Sequence, residues 1–114
     1  CCGDLSDIIY WKRLTQEQHA LYQGHPAPNV TFAADEVILD CHVRHDYDEP
    51  FEPAAAPEIR VNRQALTAAY AQAVRELHVF AGQLEQARQA LALPTGDLSN
   101  LLIFHNVELP DEQP

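Results

Sequence analysis

The sequence predicts a helix-dominated α+β fold, with two or three helices packed on a short antiparallel β-hairpin. Three observations predict it. Apolar residues recur at alternating spacings of four and three from Leu66 to Leu91, the signature of a long helix. Apolar and polar residues alternate from Glu36 to His45, as a half-buried strand requires. Ala34-Asp35 separates that stretch from a shorter one at Val30 to Ala33, the spacing of a hairpin, although neither turn residue is a favoured glycine or asparagine. Helices gathered on an antiparallel sheet form one core. At 114 residues with 46% hydrophobic content, the chain suits a single domain spanning 1–114 and is no disordered polymer.

Taken in chain order, Ser6 to Gln23 reads as the first helix. Ser6 stands as its N-cap, and Asp7 in the first turn opposes the helix dipole. Ile8, Ile9, Tyr10, Trp11, Leu14, Leu21 and Tyr22 supply the apolar surface. Thr15-x-x-Gln18 also fits a capping box, so a restart at Thr15 is a second reading. Gly24, Pro26 and Pro28 stop the helix. In the longer strand, Val37, Leu39, Cys41 and Val43 share one face, with Ile38, Asp40, His42 and Arg44 on the other.

Residues 46–58, DYDEPFEPAAAPE, hold three prolines and five acids in thirteen residues, which precludes regular structure. We read this stretch as an acidic, proline-rich loop within the domain. Tyr47 and Phe51 are its aromatic anchors, and Asp48, Glu49 and Glu52 surround them with charge, the pattern of a segment that docks on a basic groove. The ordinary alternative is a solvated loop.

The long helix is predicted over Arg63 to Ala92, capped by Asn62 and followed by Pro94. Its seam is Leu66, Tyr70, Ala73, Leu77, Phe80, Leu84, Ala87 and Leu91. Ala69, Val74, Ala81 and Ala90 widen the stripe beyond a two-stranded coiled coil, favouring a bundle. Gly82 costs roughly 1 kcal/mol of helix propensity and predicts a bend or a close contact. Thr95-Gly96-Asp97 is a turn. Leu98 to Leu109 is a short helix capped by Asp97 or a strand, with Leu101, Leu102, Ile103 and Phe104 as a buried run. Pro110 to Pro114 reads as a frayed tail.

A first helix of that length spans about 25 Å, whereas the long helix spans about 45 Å. Part of the seam, centred on Tyr70, Leu77, Phe80 and Leu84, is therefore predicted to meet a protein partner or a second copy of the chain.

The run Cys1-Cys2-Gly3-Asp4 resembles the mature N-terminus of a bacterial lipoprotein. The resemblance covers these four residues alone and is to a processing class, not to a fold. It implies a lipid thioether on Cys1 or Cys2, a periplasmic location and a bacterial membrane held through the lipid. No apolar run approaches the roughly 18 residues of a spanning helix. A further hypothesis pairs the unmodified N-terminal cysteine with Cys41 in an oxidising compartment; a non-reducing peptide map lacking that crosslink would remove it.

Charge narrows the partners. The net charge is −10, and Asp35 to Glu58 carries eight acids against one base, Arg44. Phosphate backbones and anionic lipid are repelled, so neither nucleic acid nor direct lipid adsorption is expected. His42 and His45 with Cys41, Asp40, Asp46 and Asp48 are the one metal-like cluster. Positions 42 and 45 fall on opposite faces of a strand, so no metal site is predicted. Asp46-x-Asp48 lacks the glycine and distal glutamate of a calcium loop. Phosphate loops, zinc-protease motifs and nucleophile elbows are absent. Serine occurs only at 6 and 99, neither beside a base. No catalytic residue and no cofactor are predicted.

The sequence thus favours a non-catalytic envelope lipoprotein, an accessory protein-binding subunit of a membrane-associated assembly. The alternative is an immunity or inhibitor protein whose acidic segment occludes the cleft of a toxin or hydrolase, with steeply salt-dependent association.

Overall fold

The computed structural model describes residues 4–19 and 26–104. It is a small α+β domain in which helices pack against a short antiparallel sheet, as the sequence predicts. A 3-10 turn at Leu5–Asp7 leads into α1, Ile8–Gln16. Strands β1, Asn29–Phe32, β2, Glu36–Asp40, and β3, Glu58–Asn62, follow. The long helix α2 is Arg63–Ala90, and a π-helical turn covers Asn100–Phe104.

The N-terminal cap differs from expectation. Asp4, not Ser6, holds the helix entry. Its carboxylate accepts the Ser6 N–H at 3.0 Å, and Asp7 accepts the Asp4 N–H at 3.1 Å. The reciprocal pair satisfies two amides that the helix cannot. Thr15 is no cap either. It sits inside α1 with its hydroxyl donating to the Trp11 carbonyl at 2.8 Å, a back-bond that weakens helices. After it, Gln16-Glu17-Gln18-His19 offer no apolar side chain to bury. The helix ends there, Gln18 turns left-handed at φ 53°, and His19 N–H bonds to the Arg13 carbonyl. Residues 20–23 of the predicted helix and its stop at Gly24 lie outside the described residues.

The sheet has three strands in the order β1-β2-β3, not the two of a hairpin. Phe32 pairs with Val37 across the Ala34-Asp35 turn, and Val37 pairs in turn with Val61. Leu39 lies between Val30 and Ile59. These residues share one face by the two-residue repeat of a strand. Thr31, Ile38 and Arg60 form the row behind them. β2 stops at Asp40 rather than His45: Cys41 N–H still bonds the Pro57 carbonyl at 2.8 Å, but Pro57 has no N–H to return. Arg60 bridges Glu36 and Glu58 at 3.0 and 3.1 Å on the outer face; such exposed pairs contribute little to stability.

Leu14 of α1, at 1% exposure, meets Val37 at the core, with Tyr10, Trp11, Val30, Phe32, Leu39 and Leu66 packed around them. Among the described residues the buried hydrophobics are Leu14, Val37, Tyr70, Val74, Ile103 and Phe104. The molecule is drawn out, 54 × 33 × 20 Å with a radius of gyration of 17.1 Å, against about 13 Å for a compact chain of this length. Beyond Phe80 no residue of α2 is buried. Gly82 is exposed, and a Cβ placed there would meet nothing within 4 Å. Of the two readings of Gly82, a bend or a close contact, the close contact is absent among the described residues.

Both ends of α2 are specified locally. Asn62 accepts the Ala65 N–H at 2.9 Å, a cap whose loss costs about 1 kcal/mol. Arg63 clamps the hairpin turn: its N–H bonds the Asp35 carbonyl, and its guanidinium reaches the carbonyls of Ala33 and Ala34. At the far end, Leu93 N–H reaches the Arg88 carbonyl and Ala92 N–H the Gln89 carbonyl, both at 3.1 Å. This is a Schellman closure with Ala92 at φ 49° in the place glycine favours. Ala92→Gly is therefore expected to raise stability by about 1 kcal/mol, measured by urea denaturation; a lowered midpoint would contradict it.

Over 98–104 the final segment is helical, not a strand, while 105–109 and the predicted tail Pro110 to Pro114 lie outside the described residues. Asp97 accepts the Asn100 N–H at 3.1 Å and the Ser99 hydroxyl at 2.6 Å, and these bonds hold its carboxyl below the usual range. Ile103 and Phe104 are buried, and the π-helical turn packs against the 3-10 turn. Leu101 and Leu102 are exposed, so the predicted buried run is buried in only half its length. A helical turn cannot hide four consecutive side chains against one surface.

Candidate partner-binding surfaces

Three surfaces follow from this architecture. The first is the connection between β2 and β3, which contains the acidic loop. Tyr47 is 83% exposed and stacks on His45, with ring centres 5.0 Å apart and planes within 6°. Phe51 is half-buried, and Glu49 and Glu52 are exposed. Tyr47, Asp48, Glu49 and Phe51 line one shallow depression of about 370 Å³ together with Pro26, Asp40 and Cys41.

Asp48 in this connection, and Asp40 at the end of β2, are engaged locally. Asp48 accepts the backbone N–H groups of Arg44 and His45 at 3.1 and 3.0 Å, fixing the turn. Asp40 accepts the His42 N–H at 3.0 Å and faces His42 Nδ1 at 2.6 Å and the Arg44 guanidinium at 2.5 Å. The backbone hydrogen bond from His42, followed by its ring and Arg44, holds the Asp40 carboxyl far below the ordinary carboxylate range. A depressed pKa means that the ionised group favours the folded loop above the ordinary value. That contribution is lost only as pH falls through the depressed one. Asp40 is expected to stay ionised at about pH 3, read from its carboxyl chemical shift. A midpoint at the ordinary aspartate value would refute this geometry.

The metal-like cluster is reorganised by the early end of β2. Residues 41–45 are loop, so the opposite-face argument for His42 and His45 does not apply. His42 turns to Asp40 and His45 to Tyr47. Among the described residues, no group of three or more His, Cys, Asp or Glu side chains is placed to hold a metal ion. Cys41 is a half-buried thiol, and its proposed partners Cys1 and Cys2, the candidate lipid sites, lie outside the described residues. No helix among the described residues is long and apolar enough to cross a membrane.

The second surface is the seam of α2, which divides at its middle. Tyr70 is buried within the chain and serves this domain's own packing. Its hydroxyl is buried without a hydrogen-bond partner among the described residues, and burial raises its pKa. Leu77 and Leu84 are half-buried, and Phe80 is 41% exposed. Val79, at 62%, and Leu91, at 69%, are open to solvent. Leu91 falls on the heptad seam; Val79 lies off it and has no signal in the spacing.

The third surface was not legible in the sequence. Leu5, Ile8 and Trp11 from the N-terminal end, with Ala73, Leu77 and Phe80 from α2, line a groove of about 480 Å³. Asp4, Asp7 and Glu76 complete its lining. Trp11 in a short amphipathic helix reads as core from sequence alone; only the crossing of α1 over α2 shows that one flank stays open. Comparison with known protein families, with curated proteins and with solved structures finds no match to this chain.

Proposed function

We propose that this chain is a non-catalytic accessory subunit that binds a larger protein of a membrane-associated bacterial assembly. One observation carries the reading: in a chain of net charge −10, the outer half of α2 exposes Val79 and Leu91 where the sequence is electrically balanced. From Leu77 to Gly96 the only charged residues are Glu85 and Arg88, and they pair with each other at 2.5 Å. An uncharged helical stretch with exposed apolar side chains on an acidic body suits burial against another protein better than exposure to water. Lipid attachment at Cys1 or Cys2 and a periplasmic location belong to the same proposal on the strength of the sequence alone, and an intact mass of the protein made from its full gene tests them.

The inhibitor reading ranks second. Asp40 and Asp48 are engaged within the loop, and Glu36 and Glu58 share Arg60, which leaves fewer carboxylates to face a basic cleft than the composition suggests.

A photoactivatable crosslinker in place of Leu91, in the native host, tests the main reading. Capture of one protein of discrete mass is expected. Crosslinks only between copies of this chain, or none above those of a loop control at Ala55, would overturn it.

A further inference from the structure

We propose that the open edge of the sheet at β1 pairs with the same strand of a second copy of the chain, joining two three-stranded sheets into one. The Ala33 N–H bonds the Glu36 carbonyl at 2.9 Å, so these two residues form a hydrogen-bonded pair. Such pairs alternate along an antiparallel ladder. Thr31 and Asn29 therefore also turn their backbone groups to β2, opposite Ile38 and Asp40. Val30 and Phe32 turn theirs away. β1 is a terminal strand, and among the described residues nothing bonds these outward N–H and C=O groups. Donors and acceptors at this spacing are matched by an extended backbone.

The two edges of the sheet are built differently. On β3 the outward groups belong to Glu58 and Arg60, since the bond from Cys41 to the Pro57 carbonyl fixes the alternation there. Arg60 bridges Glu36 and Glu58 at that edge, and charged side chains on an edge strand discourage pairing. β1, Asn29–Phe32, has no charge and no proline. Val30 and Phe32 pack on the core of Leu14 and Val37, yet both stay half-buried, with no strand beyond them.

A second copy meets this edge in a definite register. With the two-fold axis at Thr31, Val30 of one copy pairs with Phe32 of the other and exchanges both bonds with it, so every outward donor is used. Centring on Val30 instead would draw Pro28, which has no N–H, into the ladder. At the axis Thr31 meets its own copy. Its side chain is exposed and neutral, and paired threonines are favourable across strands. Val30 and Phe32 then cover each other on the core face. The net charge of −10 opposes the meeting of two copies, but the sheet's own carboxylates are matched locally, Glu36 and Glu58 by Arg60 and Asp40 by Arg44. Strands this short bury less than the roughly 1,000 Å² of a stable interface, so the expected dimer is weak, with a Kd of about 0.1 mM. Leu91 lies about 40 Å along α2 from the sheet, so this contact and the Leu91 crosslink report separately.

Sedimentation of the full chain over a concentration series up to about 1 mM reads the association, and a monomer throughout would overturn the proposal. Thr31→Lys should weaken the dimer at least about tenfold with an unchanged melting temperature, because like charges then face each other across the axis. The substitution also lowers the net negative charge, so association at any other surface would hold or strengthen, and that result would overturn the pairing. Thr31→Cys made together with Cys41→Ser should link two copies on mild oxidation, seen as a doubled mass, since partners outside the hydrogen-bonded pairs approach most closely. Asn29→Cys on the same background should not, because it faces Ala33 of the other copy. Cys41→Ser alone sets the baseline from Cys1 and Cys2. Absence of the Thr31→Cys link, or equal linking by Asn29→Cys, would remove this register even where Thr31→Lys fails to fold. A photocrosslinker at Thr31 that captures another protein while the chain stays monomeric would assign the edge to a partner's strand and overturn the proposal.

Discussion

Leu14→Ala is expected to destabilise the domain by about 3 kcal/mol. Leu14 is 1% exposed and meets Val37, 3% exposed, where α1 crosses the inner face of the sheet. Both lie on short elements, and α1 has only nine residues. A helix of that length has no stability of its own in water and exists through this packing. Removing the side chain takes away transfer energy and leaves a cavity that Tyr10, Trp11 and Leu66 can only partly fill. A domain of this size has a total margin of about 5–15 kcal/mol, so the loss is a large share of it. The melting temperature should fall by at least 10 °C or so. Urea denaturation followed by Trp11 emission measures it, and a change below about 1 kcal/mol would mean that the core is centred elsewhere.

Val79→Lys combined with Leu91→Lys should do the opposite: leave the fold intact and remove the partner. Both side chains are more than half exposed, and lysine is a better helix former than valine. A cation near the end of α2 is also favoured by the dipole. Stability is therefore expected within about 0.5 kcal/mol of the parent. In a complex that buries both residues, each ammonium would lose its water without a counter-charge. Affinity should fall by at least about thirtyfold, the scale of one hot-spot residue. Co-purification with the partner captured through Leu91 reads the result. Retained binding with unchanged stability would move the interface off the outer half of α2.

These two substitutions also show what was legible in the sequence. The long helix was, because a seven-residue repeat from Leu66 onward and the Asn62 cap are local signals. The hairpin was, because Val37, Leu39, Cys41 and Val43 share one face opposite a mostly polar one, after a two-residue turn. β3 was hidden. Glu58-Ile59-Arg60-Val61-Asn62 does alternate, but it abuts the proline-rich run and buries little of its own surface. Pairing with β2 makes it a strand, and that pairing is not written in five residues. The groove was hidden for the same kind of reason. Helical spacing groups Ile8 with Trp11 on one face of α1, and Leu77 with Phe80 on one face of α2. It does not say that the two faces meet at an angle that leaves one flank open. Tyr70 and Phe80 shared one seam in the sequence, yet the first is core and the second is surface. The seam gave direction around the helix, while the end of α1 decided how far along it the core extends.

The two connections of the sheet respond differently to added chain. The Ala34-Asp35 turn is gripped by Arg63 through three carbonyls, so any inserted residue would break that clamp. The link from β2 to β3, residues 41–57, crosses the same sheet without such a clamp at its tip. Doubling a flexible loop costs only about 0.6 kcal/mol of closure entropy. A reporter or affinity tag placed at Ala54-Ala55, both exposed, should therefore be carried with little change in melting temperature. That site lies on neither the groove nor the outer half of α2, which makes the protein traceable in cells while both surfaces stay available.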